Sequence, residues 1–536
     1  MTDSRILRSS LFADDREKQV LFILFGLSLG VRLYMVFHTY VITNDGTLYI
    51  KLAKLISKGA VTEALSLWLP NLYPLALAFF QRVFFDWELS GQMVSTVFGS
   101  LAIIPFYFLV RSLFSRDVAL VASILFAFHP YAVRFSAEVI RGPTFWFLLM
   151  MTLWVGWEAI GRKRLWLFVV SGIFGSLSFL VRPEGIFVLP LLAAWTILAD
   201  VRTLRATYKK NVRFALVLLL VVPVVLSPAI LYLKQKTGRW NWARAEQIPG
   251  ITLSDLTMKE IKRNFDKVEV KSWDNGPQVQ IESSRLKIFL SLAREQRLSI
   301  IVIETLNKFL KAMHPLLVIP LIFGAFRRKR VEYRMKEEVF LFSILVAFLL
   351  MLIRYGTVFI YISTRHVMVP VILCLPWAGV GVIEVEQVIR NAFQAAKFKG
   401  ESLFGLKYLR WALVVAIVVA LLPKTLASQR IDKIPIREAG IWIKENGPEN
   451  PVVMGQDGLA RVGFYAEGTF IGIPRNQDLI EFSKKRKVDF LALNQKDIEN
   501  TRRGLTRFLD SEHFKEEIAF GTASGPYLIR IYSVRN

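Results

Sequence analysis

VLFILFGLSLGVRLYMVF, Val20–Phe37, runs straight into HTYVITNDGTLYI over residues 38–50. The first stretch holds one charged side chain, Arg32, in an otherwise apolar run. A helix needs roughly 20 mostly apolar residues to cross about 30 Å of hydrocarbon. Val20–Phe37 meets that need and reads as a membrane span, with Arg32 snorkelling toward the nearer interface. Residues 1–19 are polar and carry Arg5, Arg8, Arg16 and Lys18. No small-residue cleavage site follows the apolar block, so it is expected to remain as an anchor and not to leave as a signal peptide.

Blocks of the same kind recur along the chain, as at Phe214–Leu233, Val339–Ile353 and Trp411–Leu422. The pattern predicts spans at 20–38, 93–110, 118–133, 143–160, 165–181, 185–199, 213–233, 313–326, 339–353, 366–386 and 410–425, roughly eleven in all. Composition agrees: 54% of the 536 residues are hydrophobic and the mean hydropathy is +0.42, against about 45–50% apolar in ordinary soluble domains. The formal charge of +25 would suggest nucleic acid in a soluble protein. Here most basic residues lie in loops between apolar blocks, where they orient a membrane protein and meet anionic lipid, and no nucleic-acid motif accompanies them. The single cysteine, Cys374, lies in an apolar block, so the sequence offers neither an intrachain disulfide nor a cysteine metal site.

The basic loops alternate. One set contains Arg111 and Arg116; Arg162, Lys163 and Arg164; Arg202, Arg205, Lys209 and Lys210; Arg327 through Lys336; and Arg390 through Lys407. The other set is sparse: Arg134 and Arg141, then Arg182, then Arg354 and Arg365. The positive-inside rule makes the first set cytoplasmic together with the N-terminus, and an odd span count puts the tail outside. The expected organisation is a cytoplasmic N-terminus (1–19), a transmembrane domain (20–429) and a soluble extracytoplasmic domain (430–536). Two outer segments are long. Residues 39–92 contain a helical stretch at Leu48–Ile56 and aromatic-proline turns at Trp68–Pro70 and Tyr73–Pro74; residues 234–312 end in an amphipathic stretch, Ile300–Ala312. The tail alternates helix (Glu438–Glu445, Asp478–Arg486) with strand (Pro451–Met454, Phe490–Leu493, Pro526–Val534), which predicts a small α/β unit.

Four constellations at the outer ends could carry chemistry. Asn44–Asp45–Gly46, with Tyr49, offers a carboxylate that could act as a base or bind a divalent cation; the same triplet is also good turn chemistry. The stretch from Arg134 to Pro143 holds Glu138 between Arg134 and Arg141, which suits phosphate recognition or a solvated ion pair. Arg182-Pro-Glu184-Gly185 reads as a tight turn with a charge pair. Tyr361, Arg365 and His366 open a later span, where ionisable groups serve function or snorkel. No Walker loop, GxGxxG, HExxH or GxSxG is present. The five histidines (His38, His129, His314, His366, His513) are scattered and show no zinc spacing. These absences argue against a nucleotide-dependent reaction.

Together the residues resemble the GT-C superfamily of membrane glycosyltransferases, in the part of it close to protein O-mannosyltransferase and the aminoarabinose transferase of lipid A. The resemblance rests on Asp45 with Tyr49 after the first span, RFSAEVIRGPTFWFLL (134–149), FLVRPEGIFVLP (179–190), STRHVMVPVILCLP (363–376), and AGIWIKENG (439–447) with GFYAEG (463–468) in the tail. It implies a polyprenyl-phosphate-linked sugar donor, an envelope lipid, glycan or protein acceptor, and transfer at the outer face of the cell membrane. It assigns catalysis to Asp45 as base, with Glu138 as a second acid, and substrate contacts to Tyr49, Arg141, Arg182, Glu184, Tyr361, Arg365 and His366. Many relatives carry Asp-Glu at the first loop where this chain has Asp45–Gly46, so a divalent cation there would need Glu138 beside Asp45. A transporter or flippase of lipid-linked glycans is the competing class. It would place its ionisable residues near the midplane, commonly with inverted repeats, whereas here they gather at the outer ends. A sensor built on the tail would leave the first outer loop without a role.

Overall fold

The computed structural model describes residues 15–67, 71–198, 204–237, 297–326, 335–359, 362–395, 408–473, 479–495, 509, 512–522 and 524–535. Its contacts divide the chain into two compact units. One comprises 1–36, 49–248 and 301–427; the other comprises 37–48, 249–300 and 428–536.

The first unit is helical, as the apolar blocks require. Among the described residues, six helices are long and apolar enough to cross a membrane, or up to eight if each of two bent pairs is one span. The six are Asp15–Phe37 (α1 here), Trp87–Leu113, Gly142–Arg162, Thr207–Gln235, Met335–Thr357 and Met368–Phe393. The bent pairs are Arg116–Ala127 with Pro130–Ser136, at 56°, and Leu298–Met313 with Pro315–Phe326, at 103°. Residues 165–181 and 183–198 form shorter apolar helices, and a 17-residue helix spans Leu409–Thr425. Every block read as a span is therefore helical, and the chain is a polytopic α-helical membrane protein.

Local chemistry sets the helix ends. Asn71 caps α4 (Leu72–Phe84) by accepting from the Tyr73 amide, following α2 (Asn44–Ser57) and α3 (Val61–Leu67). Tyr73–Pro74 is thus the first turn of a helix and not a loop turn: proline is tolerated there because its missing N–H has no intrahelical partner. Trp68–Pro70 lies outside the described residues. Asp86 caps the next helix through the Leu89 amide. Arg32 does not snorkel. It is fully buried, and its Nη1 donates to the Ser28 and Ala127 carbonyls at 3.2 and 3.1 Å; the carbonyl at the end of Arg116–Ala127 gives it an internal partner. Glycine allows the closest helix crossing. A Cβ on Gly381 would stand 1.7 Å from the Pro320 carbonyl oxygen, and one on Gly324 would stand 1.8 Å from that of Trp377. Small residues let membrane helices approach in this way.

The second unit holds a five-stranded sheet in the order β2-β1-β3-β5-β4, with β1 Val452–Gly455, β2 Thr469–Gly472, β3 Phe490–Asn494, β4 Phe514–Gly521 and β5 Leu528–Val534. β1 pairs in parallel with β2 and β3; β5 pairs antiparallel with β3 and β4. Helices Ile434–Asn446, Ala460–Tyr465 and Leu479–Arg486 complete it. One core joins Ile436, Ala439 and Ile443 to Val453, Ala492 and Ile531, which is the helix-on-sheet layering expected of an α/β unit.

Candidate active site

Arg182 follows the helix Leu165–Val181 with extended backbone, φ −145° and ψ 130°. Proline at 183 enforces that conformation by clashing with a helical residue before it. The chain then turns through Pro183–Phe187. This turn packs so tightly on the preceding helix that a Cβ on Gly185 would meet the Ser178 Oγ at 2.2 Å and the Phe179 amide nitrogen at 2.7 Å. The turn brings the two side chains together. Arg182 Nη2 donates to Glu184 Oε1 at 2.7 Å and Nε to Oε2 at 3.4 Å, with only 13% and 23% of the side chains exposed. The pair is sheltered, unlike a surface turn.

Burial alone would raise the Glu184 carboxyl; the adjacent Arg182 guanidinium, helped by Arg141, outweighs it and holds the group down at about 2. Burial likewise disfavours the Arg182 charge, and Glu184 more than restores it. Arg182 also stacks over the Phe145 ring at 5.5 Å.

Arg141 reaches the same place from the connection before Gly142–Arg162. Its Nη1 donates to the Val181 carbonyl at 3.1 Å. Arg365 and His366 lie in the turn before Met368. The Ser363 amide approaches His366 Nδ1 at 3.3 Å, which makes Nδ1 the acceptor and leaves the ring proton on Nε2. Burial pushes His366 down to about 3, with Arg182, Arg365 and Arg141 adding to the effect against Glu184. His366 is therefore neutral at pH 7. The Tyr355 ring meets it edge-on at 5.0 Å.

Tyr49 is buried and acts electrostatically on Arg182 together with Tyr355. It packs edge-on against Tyr73 at 5.2 Å. The Tyr73 hydroxyl donates to the Gly91 carbonyl at 2.9 Å and lies 3.0 Å from Ser95 Oγ. Ser95 in turn donates to the Ile140 carbonyl at 2.9 Å, one residue before Arg141. The structure thus brings Tyr49, Arg141, Arg182, Glu184, Arg365 and His366 into one neighbourhood of the first unit. Ser95, Phe145 and Tyr355 join it without having stood out in the sequence, and Tyr73 joins it although the sequence marked it only as part of a turn. Tyr361 lies outside the described residues.

Glu138 is buried and pairs with Arg134 one helical turn away, at 3.3 Å. Asp45 stands in the first turn of α2, half-buried. The triplet Asn44–Asp45–Gly46 opens a helix: the Thr43 hydroxyl caps it by accepting from the Gly46 amide at 2.8 Å. A carboxylate in a first turn is favoured by the helix dipole. Asp45 belongs to the second unit and Tyr49 to the first; one helix carries both, a turn apart. Among the described residues no group of three His, Cys, Asp or Glu side chains could hold a metal ion.

Residues 68–227 match a family model described as dolichyl-phosphate-mannose-protein mannosyltransferase. ArnT from Cupriavidus metallidurans in the apo state superposes with a TM-score of 0.56 at 12% identity, covering 97% of this chain and 99% of that one. The same protein bound to undecaprenyl phosphate gives 0.54 at 12% identity, over 96% and 98%. The chain has the GT-C fold. A crystal structure of the Archaeoglobus fulgidus oligosaccharyltransferase in complex with Zn and sulfate shares this GT-C likeness, at a TM-score of 0.54 and 14% identity, over 96% of this chain and 73% of that one. No curated protein matches in sequence. The matched family segment takes in Arg141, Arg182 and Glu184 of the GT-C body, while Asp45, Arg365 and His366 lie outside it.

Proposed function

We propose that this GT-C protein is a glycosyltransferase of the cell membrane, moving a sugar from a polyprenyl-phosphate donor to an envelope lipid, glycan or protein at the outer face. The gathering of Arg141 and Arg182 with His366 around Glu184, and of Arg365 beside His366, carries the reading. Glu184 neutralises one of the three guanidinium charges, so the cluster keeps a net positive field suited to a lipid phosphate. The structural neighbour ArnT bound to undecaprenyl phosphate supports a donor of this chemistry. The acceptor class follows the same logic more loosely: an oligosaccharyltransferase neighbour was crystallised tethered to an acceptor peptide.

In the reaction, Asp45 removes the proton from an acceptor hydroxyl or amine. The freed lone pair attacks the anomeric carbon, and the bond from that carbon to the phosphate oxygen breaks. Polyprenyl phosphate departs with the electron pair, and its developing charge is met by Arg141, Arg182 and Arg365. The neutral His366 donates a hydrogen bond and adds no charge.

Mass spectrometry of cell-surface glycans and glycoproteins, with and without the protein, tests this. A missing sugar names donor and acceptor, and Asp45→Asn should then reduce its transfer by about 10²–10⁴-fold. Near-normal transfer by Asp45→Asn would remove the base assignment. Unchanged glycans with lipid-linked glycan accumulating on the inner leaflet would point to a flippase instead.

A further inference from the structure

Six residues, His38–Thr43, link the end of α1 to the start of α2, and their backbone pairs with the C-terminal domain of the same unit. The Gln429 amide donates to the His38 carbonyl at 2.8 Å, and the Tyr40 amide donates to the Gln429 carbonyl at 3.2 Å. Thr39 and Gln429 form a parallel bridge. Arg437 Nη1 donates to the Tyr40 carbonyl at 3.2 Å. The Ile42 amide donates to the Tyr465 hydroxyl at 2.8 Å. The pairing takes in the His38 carbonyl, both backbone groups of Tyr40 and the Ile42 amide, on either side of a bend at Val41. Val41 and Ile42 are 0% and 2% exposed. Thr43, the next residue, caps the helix whose second residue is Asp45.

These partners come from tail stretches that the mechanism above does not use. Tyr465 ends the helix Ala460–Tyr465 within GFYAEG, and Arg437 lies just before AGIWIKENG. They support each other: the Arg437 guanidinium lies 5.7 Å from the Tyr465 ring centre. Gly440 holds the two helices in contact, since a Cβ there would stand 2.5 Å from the Tyr465 Cβ.

We infer that Tyr465 and Arg437 are positioning residues for Asp45: the C-terminal domain fixes the strap, and the strap fixes the start of the helix that presents the base. The inference rests on Asp45 being the base. It makes the soluble domain part of the turnover machinery, so removing residues 430–536 costs transfer itself and not acceptor choice alone. A strap left unpaired would let the start of α2 wander, and a displacement of about 1 Å in a reacting group can cost on the order of 100-fold in rate.

The test uses the full-length chain. Cells lacking the protein are complemented with wild type, Asp45→Asn, Tyr465→Phe, Arg437→Ala and Arg437→Lys at matched membrane abundance, and the lost glycan is quantified. In parallel, hydrogen exchange of the peptide covering residues 38–48 is followed on each purified protein. Tyr465→Phe keeps the ring and loses one hydroxyl; the Ile42 amide should exchange about five- to tenfold faster and glycan formation should fall between about 10- and 100-fold. Arg437→Ala should act likewise, and Arg437→Lys, which retains a donor for the Tyr40 carbonyl, should recover most of the loss. Unchanged exchange in Tyr465→Phe, or faster exchange with wild-type glycan, overturns the positioning role while leaving an inactive Asp45→Asn to uphold the base. Wild-type glycan from Asp45→Asn removes the base, and the positioning role with it.

Discussion

At the residue scale, Glu184 ties the site to pH. Its carboxyl is held at about 2 against an ordinary 4.5 because Arg182 compensates burial. A depressed carboxyl stabilises the fold above its unfolded pKa, and the contribution fades as pH falls from about 4.5 toward 2. Glu184→Gln should therefore destabilise the protein in detergent at pH 7 by on the order of 2 kcal/mol, read as a lower melting temperature. The gap between mutant and wild type should stay constant above pH 5 and close as the pH is lowered through 4 and 3. A gap independent of pH would show that the carboxylate charge is not what holds the turn. Arg141, Arg182, Glu184, Arg365 and His366 were legible because a charge at the end of an apolar block is conspicuous. Ser95, Phe145 and Tyr355 were not: uncharged residues inside apolar patterns look like packing, and only the fold shows Ser95 bonded to the carbonyl before Arg141. Arg32 misled for the opposite reason, since its carbonyl partner is 95 residues distant in sequence.

At the element scale, the turn Pro183–Phe187 depends on one missing methyl group. Gly185→Ala would drive a carbon onto the Phe179 backbone nitrogen, which cannot swing aside as a side chain can. The turn must lift, taking Arg182 and Glu184 with it. Transfer should drop by about 100-fold, measured as glycan restored in complemented cells, with the protein still folded by size-exclusion profile. Gly381→Ala should instead act on stability alone. It forces apart Pro315–Phe326 and Met368–Ala395 and should cost about 1–3 kcal/mol in thermal unfolding. Helices were readable as elements because their apolar blocks run over 11 residues or more, as at Val188–Leu198, beyond the usual length of a strand. In the tail, β1, β3 and β5 were anticipated, whereas β2 and β4 were not. Those two are the edges of the sheet. β4 carries Lys515, Glu516 and Glu517 on its exposed run, the charges that protect an edge from pairing with another chain and that also erase its apolar alternation.

At the scale of the whole molecule, the proposed reaction needs a direction across the membrane. We propose one from the basic loops, whose alternation favours the N-terminus inside and the tail outside. The outcome matters because a polyprenyl-phosphate donor presents its sugar on one leaflet, and the Asp45 helix and the tail that straps it must face that leaflet together. Cysteine labelling can settle the matter with little background, since the single native thiol, Cys374, is buried. Ser524 is exposed in the tail, and Ser9 lies in the polar segment before α1. In intact cells, Ser524→Cys should react with a membrane-impermeant maleimide and Ser9→Cys should not; after permeabilisation both should react. Labelling of Ser9→Cys alone in intact cells would invert the topology. It would carry the strap and the tail to the cytoplasmic side, where the donor would have to be presented on the inner leaflet, and the outer-face reaction could not stand.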